Sequence, residues 1–197
     1  MTTPVTARDR AKAERTDAIL IATAQLFAAR GYSGVSLEEI GAAVGVSGPA
    51  VYRHFAGKQA LLGALLIGVS ERLVTGGLAV STAATTAEQR MRDLVAFHVD
   101  FALGNAEVIR VQDRDLAYLS AEGREDVRRL QRAYIELWID ALAALVDEER
   151  DALRLRVQAC FGLLNSTPHS TTSALRARVD TAALLTSMAL AALRADG

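Results

Sequence analysis

Four groups of side chains in this 197-residue chain are of types that could do chemistry. Asp147-Glu148-Glu149 is a carboxylate cluster. It sits where one helix should end and another begin, and acidic residues there stabilise the incoming N-terminus. His98, Asp100 and His169 are metal-binding types, but their spacing alone builds no metal site. Cys160 is the single cysteine, so no intramolecular disulfide is possible. It lies in VQACFGLL, the apolar setting of a buried structural thiol. No Walker loop, GxGxxG or nucleophile elbow occurs, so enzyme chemistry finds little support.

The fourth group is the stretch SLEEIGAAVGVSGPAVYRHF, from Ser36 to Phe55. Ser36 with Glu39 makes a capping box that starts a helix. Leu37, Ile40 and Val44 fall on one stripe of it. Gly45 ends it, because a C-terminal residue at positive φ is cheapest as glycine. Ser47 caps a second helix, and Pro49 sits in the first turn, where a missing N–H costs little. Two short helices joined by so tight a turn have the spacing of a helix-turn-helix, whose second helix lies in the DNA major groove. The first fifteen residues add Arg8, Arg10, Lys12 and Arg15, a basic arm suited to phosphate or a frayed, solvated terminus.

The elements that must position this motif are helical throughout. The chain is 51% hydrophobic with only 3 prolines and 5% aromatics, which favours an all-α fold. Its net charge of −1 excludes a globally basic nucleic-acid coat, although residues 1–72 hold 8 Lys/Arg against 6 Asp/Glu. A first helix is expected from Ala7 to Arg30. The two motif helices complete a three-helix N-terminal unit, taken as residues 8–57. Residues 58–197 form a second helical domain, for about nine helices in all. Within it a helix from Lys58 to about Leu73 is expected to break at Gly76-Gly77, with Ser81 to Thr86 as a polar linker. Thr86 and Gln89 open a helix to Leu103, and Ala106 to Leu119 makes one or two short helices. Ser120 caps a long helix to about Val146. Helices from Glu148 to Asn165 and from Leu175 to Leu193 follow, separated by a break at Ser166-Thr167-Pro168-His169. The last helix is apolar nearly all round, with small residues that allow close approach. The last two helices therefore read as a homodimer face forming a four-helix bundle; the alternative is a fully buried intramolecular helix. No signal peptide is visible, and no run of about eighteen apolar residues is expected to span a membrane. Ala182 to Leu193 comes closest. A cytoplasmic, nucleoid-associated protein is expected.

Ser36, Ile40, Gly45-Val46-Ser47, Tyr52, His54-Phe55, Lys58 and Leu61-Leu62 together resemble the signature of the TetR family. Val44 and Gln59 stand where Ala and Glu are usual. The resemblance implies a DNA-binding N-terminal domain, with a small-molecule ligand and the dimer interface held behind it. It implies backbone contacts from Ser36, Ser47, Tyr52, His54 and Lys58, and positions near base edges for Gly48, Pro49, Ala50 and Arg53. Physics supports part of this. Hydroxyls and N–H groups at helix starts face phosphate. Lys58 starts a helix where the dipole disfavours a cation, so phosphate would compensate it. Arg53 could be bidentate to guanine or grip a phosphate.

In the second domain Phe97, Phe101, Gln112, Tyr118, Tyr134, Trp138, Phe161 and Asn165, with His98, Ile109, Asp115 and His169, could line a pocket between helices. RVQDRDLAYL and FGLLNSTPHS are similar to TetR-type regulators associated with fatty-acid and acyl-CoA metabolism. That implies an acyl thioester or lipid-like effector, which Arg110 and Arg114 could meet unless they pair with Asp113 and Asp115. No cofactor is implied. The combined reading is a homodimeric repressor released from a palindromic operator by a small molecule. The alternative is a protein of this fold that binds small molecules and has lost operator binding.

Overall fold

The computed structural model describes residues 6–172, 174–175 and 179–195. Among them are nine α-helices and one 3-10 turn. The three-helix unit consists of α1 (Ala7–Arg30), α2 (Leu37–Ala43) and α3 (Gly48–Tyr52). Behind it stand α4 (Lys58–Ala83), α5 (Ala87–Gly104), α6 (Ala106–Asp115), the 3-10 turn Leu116–Tyr118, α7 (Ala121–Ala143), α8 (Arg150–Ser170) and α9 (Thr181–Leu193).

Several starts are set by capping. Thr6 with Asp9 and Ser36 with Glu39 form complete reciprocal boxes. Thr86 accepts from the Gln89 amide, but Gln89 Oε1 turns to Thr85 N and Oγ1, so that box is half made. Ser120 accepts from Gly123 N and opens α7.

Four expectations are corrected. α4 does not break at Gly76-Gly77 but runs on to Ala83, and residues 81–83 of the expected linker are helical. The two glycines serve packing instead. A Cβ on Gly76 would strike the Phe97 ring, and one on Gly77 would come within 2.6 Å of Tyr134. Likewise α8 passes through the expected break at 166–169 to Ser170. There the Ser166 and Thr167 hydroxyls donate back to the Leu163 carbonyl, at 3.1 and 3.2 Å, rather than capping a new helix. The last helix starts at Thr181 and not at Leu175, because residues 179–180 form a turn and Asp180 caps the helix by accepting from Ala183 N at 3.0 Å; residues 176–178 lie outside the described residues. Fourth, α4 is by length and composition apolar enough to cross a membrane. It is instead the central helix, packed on α7 and α5 and, near its start, on α1.

Two apolar cores result. The first joins Ile19 and Phe27 of α1 and Ile40 and Val51 of the motif to Leu61, Leu62 and Leu66 of α4 and Val111 of α6. The second joins Leu94, Trp138, Leu142, Val157, Leu164 and Leu185. Leu73 packs against both. The motif is thus mounted on α4 and α6 without a flexible linker.

Candidate nucleic-acid interface and effector pocket

The motif is held from inside so that one edge stays free. Gly45 takes φ +69°, and Val46 N returns to the Gly41 carbonyl at 2.9 Å. A Cβ on Gly41 would lie 2.8 Å from Val46 O and 3.2 Å from Val51, so α2 and α3 cross there at backbone contact. Gly41 thus permits the motif's tight crossing. α3 buries Gly48, Ala50 and Val51 and exposes Ser47, Pro49, Tyr52 and Arg53. Gly48 and Ala50, expected near base edges, turn inward. A Cβ on Gly48 would lie 3.2 Å from the Glu38 side chain, and Ala50 is only 8% exposed. Ser47 occupies the N-cap position, but its hydroxyl makes no cap bond and stays exposed.

The flanking residues are tied down. Ser36 Oγ accepts from Glu39 N, while Glu39 receives Ser36 N at 2.8 Å and Arg30 at 2.7 Å. Those bonds, led by the one from the Ser36 backbone, hold the Glu39 carboxyl down at about 2. His54 Nδ1 lies 3.0 Å from Thr16 Oγ1 and pins the end of the motif to α1. Lys58 is tied down as well. Its ammonium donates to the Tyr32 and Val35 carbonyls, both at 2.9 Å, and sits 4.5 Å from the Tyr32 ring centre. The protein itself thus accepts two of that ammonium's three N–H groups. Arg8, Arg10, Lys12 and Arg15 are exposed, but within the first turns of α1 rather than on a frayed arm.

In the second domain, α4, α5, α6, α7 and α8 line a half-open pocket of about 190 Å³. Gln112, Tyr134, Phe161 and Asn165 meet there with His98, as the sequence suggests, and are joined by Ser70, Leu130, Gln131 and Ile135, which it did not single out. Helical phase was the signal available. Gln131 and Ile135 flank Tyr134 by three and one positions on α7, and Ser70 shares the buried face of α4 with Leu66. His98 is buried; its ring stacks on Phe161 at 4.6 Å and meets Tyr134 Oη at 3.3 Å and Asn165 Oδ1 at 3.0 Å. Burial pushes the imidazole down to about 4, with the Asn165 bond opposing, so it is neutral at physiological pH. Burial likewise raises the Tyr134 phenol.

The other expected lining residues lie elsewhere. Trp138 is fully buried in the second core. Phe97 and Phe101, one helical phase away from His98, line a separate groove along α4 with Arg72 and Asp100. Tyr118 is carried by the 3-10 turn onto Tyr32, stacked at 4.6 Å. Ile109 is core, His169 is exposed, and Asp115 is buried under Arg114. Arg114 takes the expected Asp115 pair, but the same guanidinium also donates to the Phe27 and Ala28 carbonyls and so caps the end of α1. Glu148 pairs with Arg156, and Glu149 is the N-cap of α8, which accounts for two members of the carboxylate cluster. Cys160 is buried, and burial pushes its thiol up to about 12, far from reactive thiolate.

Two family models match. Residues 19–65 match "Bacterial regulatory proteins, tetR family", and residues 84–169 match "Tetracyclin repressor-like, C-terminal domain". The HTH-type transcriptional activator FasR of Mycolicibacterium smegmatis is 36% identical over 88 residues, 45% of this chain. The match spans only 40% of that relative's length. Among solved structures, the regulator PfmR of Thermus thermophilus superposes with a TM-score of 0.76 at 22% identity, over 100% of this chain and 99% of its own. AibR, solved with isovaleryl coenzyme A and operator DNA, gives 0.74 at 18% identity, over 90% and 96%. Identities this low establish a shared fold.

Proposed function

We propose, from the premise that this chain belongs to the TetR family of bacterial regulatory proteins, that it is a homodimeric, ligand-responsive regulator that grips a palindromic operator. Membership in that family makes it a regulator, not an enzyme. The observation that carries the reading is the two-sided build of α3, locked by Gly48, Ala50 and Val51 and free at Ser47, Pro49, Tyr52 and Arg53. Ser36, Ser47, Tyr52 and His54 hold phosphates, and Lys58 contributes through the one N–H that its two carbonyl bonds leave over. Pro49 and Arg53 face the bases. Two copies of α3 set about 34–36 Å apart would meet successive major grooves. Residues 8–57 form the reading head and 58–197 the sensor, working in the cytoplasm on the nucleoid.

The effector is a small acyl or lipid-like molecule bound in the His98 cavity. Gln112 lies on its wall, and two residues further along α6 Arg114 holds the end of α1. A ligand that shifts α6 therefore shifts the reading head, provided that it binds the two arrangements unequally. We read the protein as a repressor. The name of the FasR relative favours activation as the second reading.

Gel shift with the DNA upstream of its own gene, followed by in vitro transcription, tests both. A salt-sensitive shift with reduced transcript is expected. A shift with increased transcript selects activation, and no shift at moderate salt leaves a ligand-binding protein that has lost its operator.

A further inference from the structure

Resting on that reading of the cavity as the effector site, we infer that it selects an uncharged acyl group, the carbonyl of a thioester, ester or amide, over the corresponding free carboxylate. The selectivity comes from a hydrogen-bond chain with a fixed direction. Asn165 Oδ1 can only accept, so His98 Nε2 carries the ring proton across the 3.0 Å contact. His98 Nδ1 is then the acceptor for the Tyr134 hydroxyl at 3.3 Å. That chain leaves both N–H groups of Asn165 unspent. Gln112 and Gln131, on the same cavity, also have amides with no hydrogen bond to protein among the described residues. The two glutamine amides and the Asn165 N–H groups, set among Leu73, Leu130, Ile135 and Phe161 and beside Ser70, His98 and Tyr134, offer donors and acceptors but no charge.

Among the described residues no Lys, Arg, Asp or Glu lines the cavity, and its histidine is neutral. A carbonyl oxygen meets its needs with one or two amide N–H groups. A carboxylate would lose part of its hydration on the pocket wall and find no cation there, and the amide oxygens would oppose it. An ammonium would find acceptors but no anion. The size agrees with a short group: about 190 Å³ holds roughly six waters at their liquid volume of about 30 Å³ each. That lies below the roughly 300–1,000 Å³ of sites for drug-sized ligands.

The test is a head-group series on one tail, with hexanamide, hexanoate and hexylammonium titrated calorimetrically into the full-length protein at pH 7.5. Hexanamide is expected to bind at least about tenfold more tightly than either ion, the lower range for a buried polar group left unpaired. In Asn165→Asp the order should turn towards hexylammonium. Hexanoate binding as tightly as hexanamide, or no binding by any of the three at millimolar concentration, overturns the inference. A parallel gel shift separates the two levels. Hexanoate that binds tightly and releases DNA sinks head-group selection while the effector reading stands. Hexanamide that binds with the expected preference and leaves DNA affinity unchanged sinks the effector reading while the selection stands.

Discussion

At the scale of single residues, the same side-chain type does different work depending on where its polar atoms are spent. Tyr52 and Lys58 both match positions expected to touch phosphate, yet Tyr52 is 55% exposed while the Lys58 ammonium is held by two carbonyls and a ring. Their replacements should therefore separate. Tyr52→Ala is expected to weaken binding to specific and random DNA alike and to leave the thermal midpoint unchanged. Lys58→Ala should lower stability by about 2 kcal/mol, the scale of a charged hydrogen bond lost from a half-buried site. Thermal melts beside anisotropy titrations over a salt series would show it, and an unaltered midpoint in Lys58→Ala would refute the clasp. His98 gives a second prediction. Unfolded, it takes a proton near pH 6.5; folded, it does so only near 4. Proton uptake between those values favours the unfolded chain. The stability tied to neutral His98 is thus complete above about pH 6.5 and is lost as pH falls towards 4, by at most about 1.4 kcal/mol per pH unit. His98→Gln, which keeps hydrogen-bonding capacity, should flatten that fall in urea midpoints measured from pH 7 to 4.5. Parallel curves for the two proteins would place the pH sensitivity elsewhere.

At the scale of elements, what could be read from the sequence is what is local. Capping boxes, the glycine at positive φ and the apolar stripes lie within a few residues of each other, and the motif between Ser36 and Phe55 is built as they imply. The failures are of one kind. Gly76-Gly77 reads locally as a helix breaker, yet those positions hold glycine because Phe97 and Tyr134, distant in sequence, press on the α4 backbone. Pocket and surface sorted the same way. Phe97 and His98 are neighbours in sequence, but one helical step sends them to different cavities. Gln131 and Ser70 carry only helical phase as a mark, which does not tell a pocket wall from plain core. The α4 argument can be checked within one helix. Gly77→Ala should cost about 1–3 kcal/mol through overpacking. Gly68→Ala, whose Cβ would touch only the end of Arg72 at 4.0 Å, should be neutral or gain up to about 1 kcal/mol in helix propensity. Equal denaturant midpoints for the two variants would mean that α4 tolerates side chains at the crossing.

For the whole molecule, the question is what covers the outer face of α9. Leu185, Ala189 and Leu193 point inward and are buried. Ala183, Leu184, Ser187, Met188, Ala191 and Ala192 recur at the opposite phase, all exposed, with Leu184 at 51% and Met188 at 46%. Leu155 on the neighbouring α8 is 69% exposed. A helix whose outward stripe is as apolar as its inward one needs a second surface. The small residues would let another helix approach closely, and a two-fold copy of the same pair would be a self-complementary partner. Fully burying Leu184 and Met188 contributes about 1.5–3 kcal/mol each, counted on both subunits. Leu184→Asp with Met188→Asp should therefore give a folded monomer by light scattering, with the helical circular dichroism retained because neither side chain belongs to the inner core. Operator affinity should fall with dimer loss, since a single reading head contacts one half-site. The double variant remaining dimeric at micromolar concentration would move the interface off α9 and leave this apolar face without a covering partner.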